Sequence, residues 1–369
     1  MRTARPRATA HPGSGRGSDT AIAWRHRQFV LRVGGRSVRV SHRALVATVT
    51  SVVAAAVLAV FALGAGEFPV SPGKVISVLI GTDDSFARVV VLEWRMPRIV
   101  SALIIGAALG MAGAIFQTLT RNPLGSPDII GFNVGAYTGA LVVIATIGRD
   151  YARTAVGALL GGLAVATVVY LLSRKRGTVH GVRLIVVGIA VSAVMSSVNQ
   201  WIIVKIDLHA ATTAAVWAQG TLNGLDWAQA VPLGICFVLV TVLLGLTGPS
   251  LTIMQMGDDA AGALGLRTER VRAHFFVLGV ALVALAAAAA GPISFVALAA
   301  PQIARRLTSG PGVGMTSSAV TGAVLLLASD LIALRALAPT ELPVGAVTVC
   351  LGGAYLVFLL VTQGRRRAR

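Results

Sequence analysis

Residues 44–64, ALVATVTSVVAAAVLAVFALG, run for 21 positions without a charged side chain. An α-helix rises about 1.5 Å per residue, so roughly 20 apolar residues span the roughly 30 Å hydrocarbon core of a bilayer with every backbone N–H and C=O bonded inside the helix. Comparable runs recur near 98–118, 129–147, 154–172, 183–204, 230–248, 271–290, 293–307, 316–334 and 344–362. The pattern predicts an all-α fold, a polytopic membrane helix bundle of about ten transmembrane helices. The eighth run is short and follows Gly291 and Pro292. A partial helix is expected there, held by its neighbours, with its free backbone groups facing protein or a cavity.

Composition excludes the alternatives. Charged residues make up 12% of the chain, against about 25% in soluble domains. Cys236 and Cys350 both lie inside apolar runs with no partner at metal-ligand spacing, so neither a disulfide nor a zinc site is expected. A net charge of +18 would point to nucleic acid in a soluble protein. Here the basic residues sit at the chain ends and in alternate loops, so the charge is read as topology and no nucleic-acid partner is expected. Residues 1–43 hold ten arginines and one acid. They are expected to form a disordered or headgroup-bound basic arm, and residues 44–64 a retained first span, since a signal peptide has a shorter apolar core of about 7–15 residues. Residues 44–364 then form the bundle, and residues 365–369 a basic tail.

With the N-terminus in the cytoplasm, the loops on that side (1–43, 117–128, 173–183, 249–272, 305–306 and 365–369) hold 24 of the 32 lysines and arginines. The opposite set (65–98, 148–153, 205–229 and 335–343) holds 8. The positive-inside rule therefore predicts a multi-pass protein of the cytoplasmic membrane with both termini cytoplasmic.

Several chemistries lack their residues. None of the three lysines, Lys74, Lys175 and Lys205, precedes Ser or Thr, so there is no GxxxxGK[ST] phosphate loop and no nucleotide hydrolysis by that route. The spans are nearly free of acids, which counts against an ion-coupled secondary carrier. Asp330 is the exception, read either as a proton relay or as a capping or packing residue. Gln117, Asn199, Gln200 and Gln302 either line a water-filled path or bond neighbouring helices. No nucleophile or metal cluster for a membrane enzyme is apparent. A transport path without its own energy source points to a multi-subunit machine.

One water-soluble stretch stands between two apolar runs: GDDAAGALGLRTERVR, residues 257–272. Asp258 and Asp259 can cap a short helix, Gly265 can end it in the left-handed conformation, and Thr268 can cap the next span. Ala261 and Leu264, three apart, fall on one face. Such a segment can dock in a cytoplasmic partner, or it can be an ordinary interfacial loop. Periodicity does not separate the two.

Five stretches resemble a known family. They are RMPR at 95–98, GAALGMAGAIFQTLTRNPLGSPDIIGFNVGA at 106–136, IMQMGDDAAGALGL at 253–266, GPISFVALAAPQIARRL at 291–307 and ELPVGAVTVCLGG at 341–353. Together they are similar to the permease subunits of iron–siderophore and vitamin B12 ABC importers (FecCD type), in family order from residue 44 to the end. RNPLGSPDIIGFN, GDDAAGALG and AGPISFVALAAPQIARR look closest to the ferric enterobactin permease branch.

That resemblance implies the type II ABC importer permease fold and a protomer paired with a second permease subunit, a paralogue in the enterobactin-type case. It implies a cytoplasmic ABC ATPase dimer carrying ATP and magnesium, an extracytoplasmic siderophore-binding protein, and no cofactor on this chain. The expected substrate is a ferric catecholate siderophore, with hydroxamates, haem and cobalamin behind and an ion-coupled carrier as the rival class. The loop between the sixth and seventh helices is the family's coupling segment, here 249–272. ATPase coupling is accordingly expected at Gly257, Asp258, Asp259, Ala261, Leu264 and Gly265. Arginines of the RxPR motif meet acids of the binding protein in relatives, which gives Arg95 and Arg98 a docking role; the bland reading is a headgroup anchor. A third docking arginine of some relatives falls at Leu334, whereas this chain has Arg335 one residue later. Glu341 either orients the last helix or meets the binding protein. Arg121, Asn122 and Pro123 open a turn that either touches the ATPase or braces the coupling loop.

Overall fold

A computed structural model of the chain describes residues 28–33, 36–66, 68–148, 150–175, 178–309, 312–337 and 340–367. Two units divide it, residues 1–42 and 43–369. In the first, β1 (Gln28–Val33) and β2 (Arg36–Ser41) pair antiparallel, with Val33 opposite Arg36. This corrects the expectation of a disordered arm over residues 28–41. The cause is legible in hindsight: two runs rich in valine and other β-favouring residues, QFVLRV and RSVRVS, flank Gly34–Gly35, a hairpin signature that the arginine content masks. Residues 1–27 lie outside the described residues, as do 368–369 of the basic tail.

The second unit is helical. Among the described residues its ten principal helices are α1 (His42–Gly64), α4 (Met96–Thr120), α5 (Phe132–Thr146), α6 (Tyr151–Leu172), α7 (Gly181–Lys205), α9 (Trp227–Met254), α11 (Thr268–Ala290), α12 (Val296–Thr308), α13 (Met315–Arg335) and α14 (Val344–Arg367). They match the ten apolar runs one for one. Among the described residues, seven helices are long and apolar enough to cross a bilayer. α5 and α14 have shorter apolar stretches, and α12, of 13 residues, is the partial helix expected after Gly291–Pro292.

Shorter elements fill the connections. α2 (Pro72–Ile80) starts at the Ser71 cap with proline at its first position and stops at left-handed Gly81. α3 (Phe86–Val89) runs into a π-helical turn, Val90–Arg95, that leads into α4. α8 (Leu208–Trp217) is capped by Asp207, which accepts from the Ala210 N–H at 2.9 Å. β3 (Arg174–Lys175) and β4 (Thr178–Val179) form a small hairpin before α7, and α10 (Asp258–Ala263) precedes α11. None of these announces itself by hydropathy, because each is short and half exposed.

α4 is the central helix, buried along most of its length among α9, α11, α12 and α13. In lipid there is little hydrophobic gain from helix contact, so association relies on close van der Waals packing at small residues. Gly106 and Gly110, four apart, lie against the Gly322 and Ser318 carbonyls of α13, and Gly139 of α5 lies against Gly157 of α6. A methyl group at any of these glycines would overlap a backbone oxygen. Below them Phe116 of α4 meets Phe276 of α11 edge to face at 5.7 Å.

The break between α11 and α12 is irregular backbone inside the bundle, and bonds from other segments hold it. Asp128 accepts the Phe295 N–H at 3.2 Å and the Asn133 side-chain amide at 2.6 Å, while Thr221 donates its N–H to the Ala290 carbonyl at 2.8 Å. Phe295 holds a left-handed φ of +69°, a conformation costly for a bulky residue and sustained by these contacts. Gln117 donates to the Leu298 carbonyl at 3.1 Å and Gln302 to the Pro123 carbonyl, so both glutamines bond neighbouring segments. Cys236 and Cys350 are free thiols on the surface.

Candidate functional site

Contacts between loops define two ends of the bundle. At the first, Arg43 bonds the Leu307 carbonyl, Gln255 the Val313 carbonyl, and Glu269 the Val179 N–H. The loops predicted to share the cytoplasmic side thus come together in space. At the other end Trp227 bonds the Leu92 carbonyl and Tyr151 the Ala289 carbonyl.

The first end carries α10. Gly257 precedes it with φ +112° and Gly265 follows it with φ +84°, backbone that favours glycine. The exit is a Schellman motif: the Leu266 N–H reaches the Ala261 carbonyl at 3.0 Å and the Gly265 N–H that of Gly262 at 2.9 Å. Gly265 therefore ends the helix as expected. The predicted caps do not form. Gly257 occupies the cap position, and Asp258 instead turns its carboxylate to Arg121 at 2.6 Å and Arg272 at 2.8 Å. Thr268 lies inside the first turn of α11, after Arg267 at the cap. A guanidinium is a stronger partner for a carboxylate than a backbone N–H already facing water.

Ala261 and Leu264 do not share a face. Ala261 is fully buried while Leu264, one residue past the helix, is 63% exposed. Met256, at 68%, and Asp259 are exposed as well, so the tip of α10 and its flanks present two large apolar side chains and one carboxylate to the surroundings. The 121–125 turn lies against it. Arg121 ends α4 with a left-handed φ of +50°. Asn122 accepts the Leu124 N–H through its side chain at 2.9 Å, and Pro123 holds Gln302. The turn braces α10 through the Arg121–Asp258 pair.

At the opposite end a cavity of about 280 Å³ is lined by Phe68, Trp94, Arg95, Arg98, Asp330 and Glu341 among others. Neither arginine is free. The Arg95 guanidinium donates to the Leu63 carbonyl at 2.8 Å and that of Phe68 at 2.7 Å, closing the exit of α1. Arg98 grips Asp330 of α13 with two nitrogens, at 2.8 Å and 3.1 Å, and Glu341 with a third at 3.2 Å. Asp330 is 1% exposed and Glu341 42%. The one acid of the ninth span is thus a packing residue with a counter-ion, and Glu341 ties the start of α14 to α4. Arg335, at the end of α13, is exposed.

Sequence reasoning assigned nothing to Arg272, Glu269 or Asp128. Arg272 carried a signal, a charge at the second position of an apolar run; Asp128 carried none, because its partner Phe295 lies 167 residues away.

The model of the FecCD transport family matches residues 54–362, most of the chain. The chain belongs to the FecCD transport family. It is 43% identical to the ferric enterobactin transport system permease protein FepG of Escherichia coli (strain K12), covering 89% of this chain and 99% of that protein. It is 32% identical to the Fe(3+)-citrate import system permease protein YfmE of Bacillus subtilis (strain 168), covering 90% and 99%. Its fold is similar to a solved structure described as an inward-facing conformation of a metal-chelate type ABC transporter, with a TM-score of 0.75, 25% identity and coverage of 85% and 98%. As a FecCD member with ten principal helices, the chain is a multi-pass membrane permease of an ABC importer.

Proposed function

We propose that this FecCD permease carries a ferric siderophore of the catecholate class, enterobactin-like, into the cytoplasm. The observation that carries the reading is 43% identity spread over 99% of a ferric enterobactin permease. A separate ABC ATPase dimer, holding ATP and magnesium, seats the exposed tip of α10, with Gly257, Asp258, Asp259, Ala261, Leu264 and Gly265 forming the segment. A second permease subunit, a paralogue, completes the path, and this chain binds no cofactor. Both termini lie in the cytoplasm, which puts the Arg98 cluster outside.

There the siderophore-binding protein docks around Arg95, Arg98 and Glu341. Arg98 is held from within by Asp330, so an incoming carboxylate meets it by exchange with Glu341, the more exposed of its two partners. The deciding experiment is uptake of radioactive iron in cells lacking the gene, with and without its restoration. Ferric enterobactin, a ferric hydroxamate and ferric citrate are offered separately. Loss of catecholate uptake alone, recovered on restoration, supports the proposal; loss of citrate uptake alone would move the substrate toward that of the second relative.

A further inference from the structure

The charged groups at the α10 end form one continuous chain of contacts across four segments. Arg272, in the second turn of α11, has a side chain only 8% exposed. One terminal nitrogen donates to Asp258 of α10 at 2.8 Å, the other to Glu269. The same Asp258 oxygen accepts Arg121, the residue that ends α4, at 2.6 Å. Glu269 accepts the Val179 N–H of the β3–β4 hairpin at 3.2 Å through its second oxygen. Arg272 is the member withdrawn from water, and its Nε has no partner.

The reason such a connection is needed lies in α10 itself. The helix has six residues and is flanked on both sides by glycines at positive φ, with open space where their side chains would be. A push on it would be taken up by those two joints unless side chains bind it to the bundle. Two residues do so: Ala261 packs, and Asp258 pairs. Packing of a methyl resists approach but not sliding. The Asp258 carboxylate is held by one nitrogen from each of two arginines, and the other terminal nitrogen of Arg272 is fixed on Glu269, so the planar guanidinium cannot swing with α10.

We infer that Arg272 is a positioning residue of the transport cycle: it sets the attitude of α10 through Asp258 and passes its displacement to α11, and by way of the shared carboxylate to α4. Arg121 is the outer, half-exposed brace of the same carboxylate, and Glu269 orients the guanidinium and joins it to the hairpin before α7. The inference rests on the reading of α10 as the ATPase-docking segment.

The test uses the complete transporter, with its ATPase, second permease and binding protein, in vesicles. Two quantities are read: ATPase retained on the washed membrane, and iron moved per ATP hydrolysed. Arg272→Gln is expected to retain the ATPase and to lower iron per ATP about tenfold or more. Asp258→Asn, at a partly exposed position where folding is not at stake, is expected to lower iron per ATP by a similar factor; because Asp258 belongs to the docking segment, its ATPase retention is read separately. The double variant should be no worse than either alone, since both remove one shared interaction. Arg272→Lys should recover much of the loss by restoring a charge opposite Asp258. Unchanged iron per ATP in Arg272→Gln or in Asp258→Asn overturns the inference, and so do losses that multiply in the double variant. Leu264→Asp separates the underlying reading: it should release the ATPase. If it does so while Arg272→Gln behaves as the unaltered protein, docking stands and the positioning role falls. Normal ATPase retention in Leu264→Asp would remove the docking reading itself.

Discussion

Asp330 anchors the end of the bundle opposite α10. Its carboxylate is withdrawn from solvent and faces the Arg98 guanidinium with two bonds. Removing one member of a buried pair strands the other's charge, at about 3–5 kcal/mol. Asp330→Asn leaves Arg98 with Glu341 as its remaining counter-ion, so it is expected to lower the thermal midpoint of the detergent-solubilised protein by part of that cost, and Arg98→Met combined with Asp330→Leu to recover most of it. A double variant as unstable as the single would mean that the pair does more than neutralise itself. The sequence showed Asp330 as an isolated acid in an apolar run. Its counter-ion is 232 residues away, and separation of that size leaves no trace in local pattern. Arg95 shows the same limit: its place on a helix start was legible, but not that the carbonyls of residues 63 and 68 occupy it.

Elements of this chain were readable in proportion to their length. Every long span was visible, since about 20 consecutive apolar residues have one stable fate in a bilayer. The pairing of those spans rests on a few glycines. Gly110→Ala places a methyl against the Ser318 carbonyl and is expected to abolish the folded, monodisperse protein in size-exclusion chromatography. Gly245→Ala in α9, where nothing lies within 4 Å, is expected to leave the profile unchanged. Equal behaviour of the two would mean that α4 and α13 tolerate separation. The short α10 was placed correctly by its glycines and acids, yet its interior was misread. Leu264 escapes the Ala261 face because the helix ends at Ala263, and Asp258 prefers two guanidinium partners to a capping role. Helical periodicity assumes that the helix continues, and at six residues that assumption fails.

At the scale of the molecule, the alternation of basic and neutral loops becomes a physical segregation. Arg43, Arg121, Glu269 and Gln255 gather at one end; Arg98, Glu341, Tyr151 and Trp227 gather at the other. With Cys236 and Cys350 replaced by serine, a thiol reagent that cannot cross the bilayer is expected to label Arg335→Cys in intact cells. It should label Met256→Cys only after the membrane is opened. The reverse pattern would invert the topology and move the α10 tip outside.

The sequence alone determined that this chain is a helical membrane protein, how many principal helices it has and which loops share a side. Those properties depend on the free energy of transferring each segment into lipid, and that is a sum over neighbouring residues. Only the tertiary structure decided which charges are free and which are spent. Arg98, Asp258 and Arg272 look alike as exposed loop or helix-end charges until the fold brings a partner to each, because an ion pair depends on distances between segments that the order of residues does not contain.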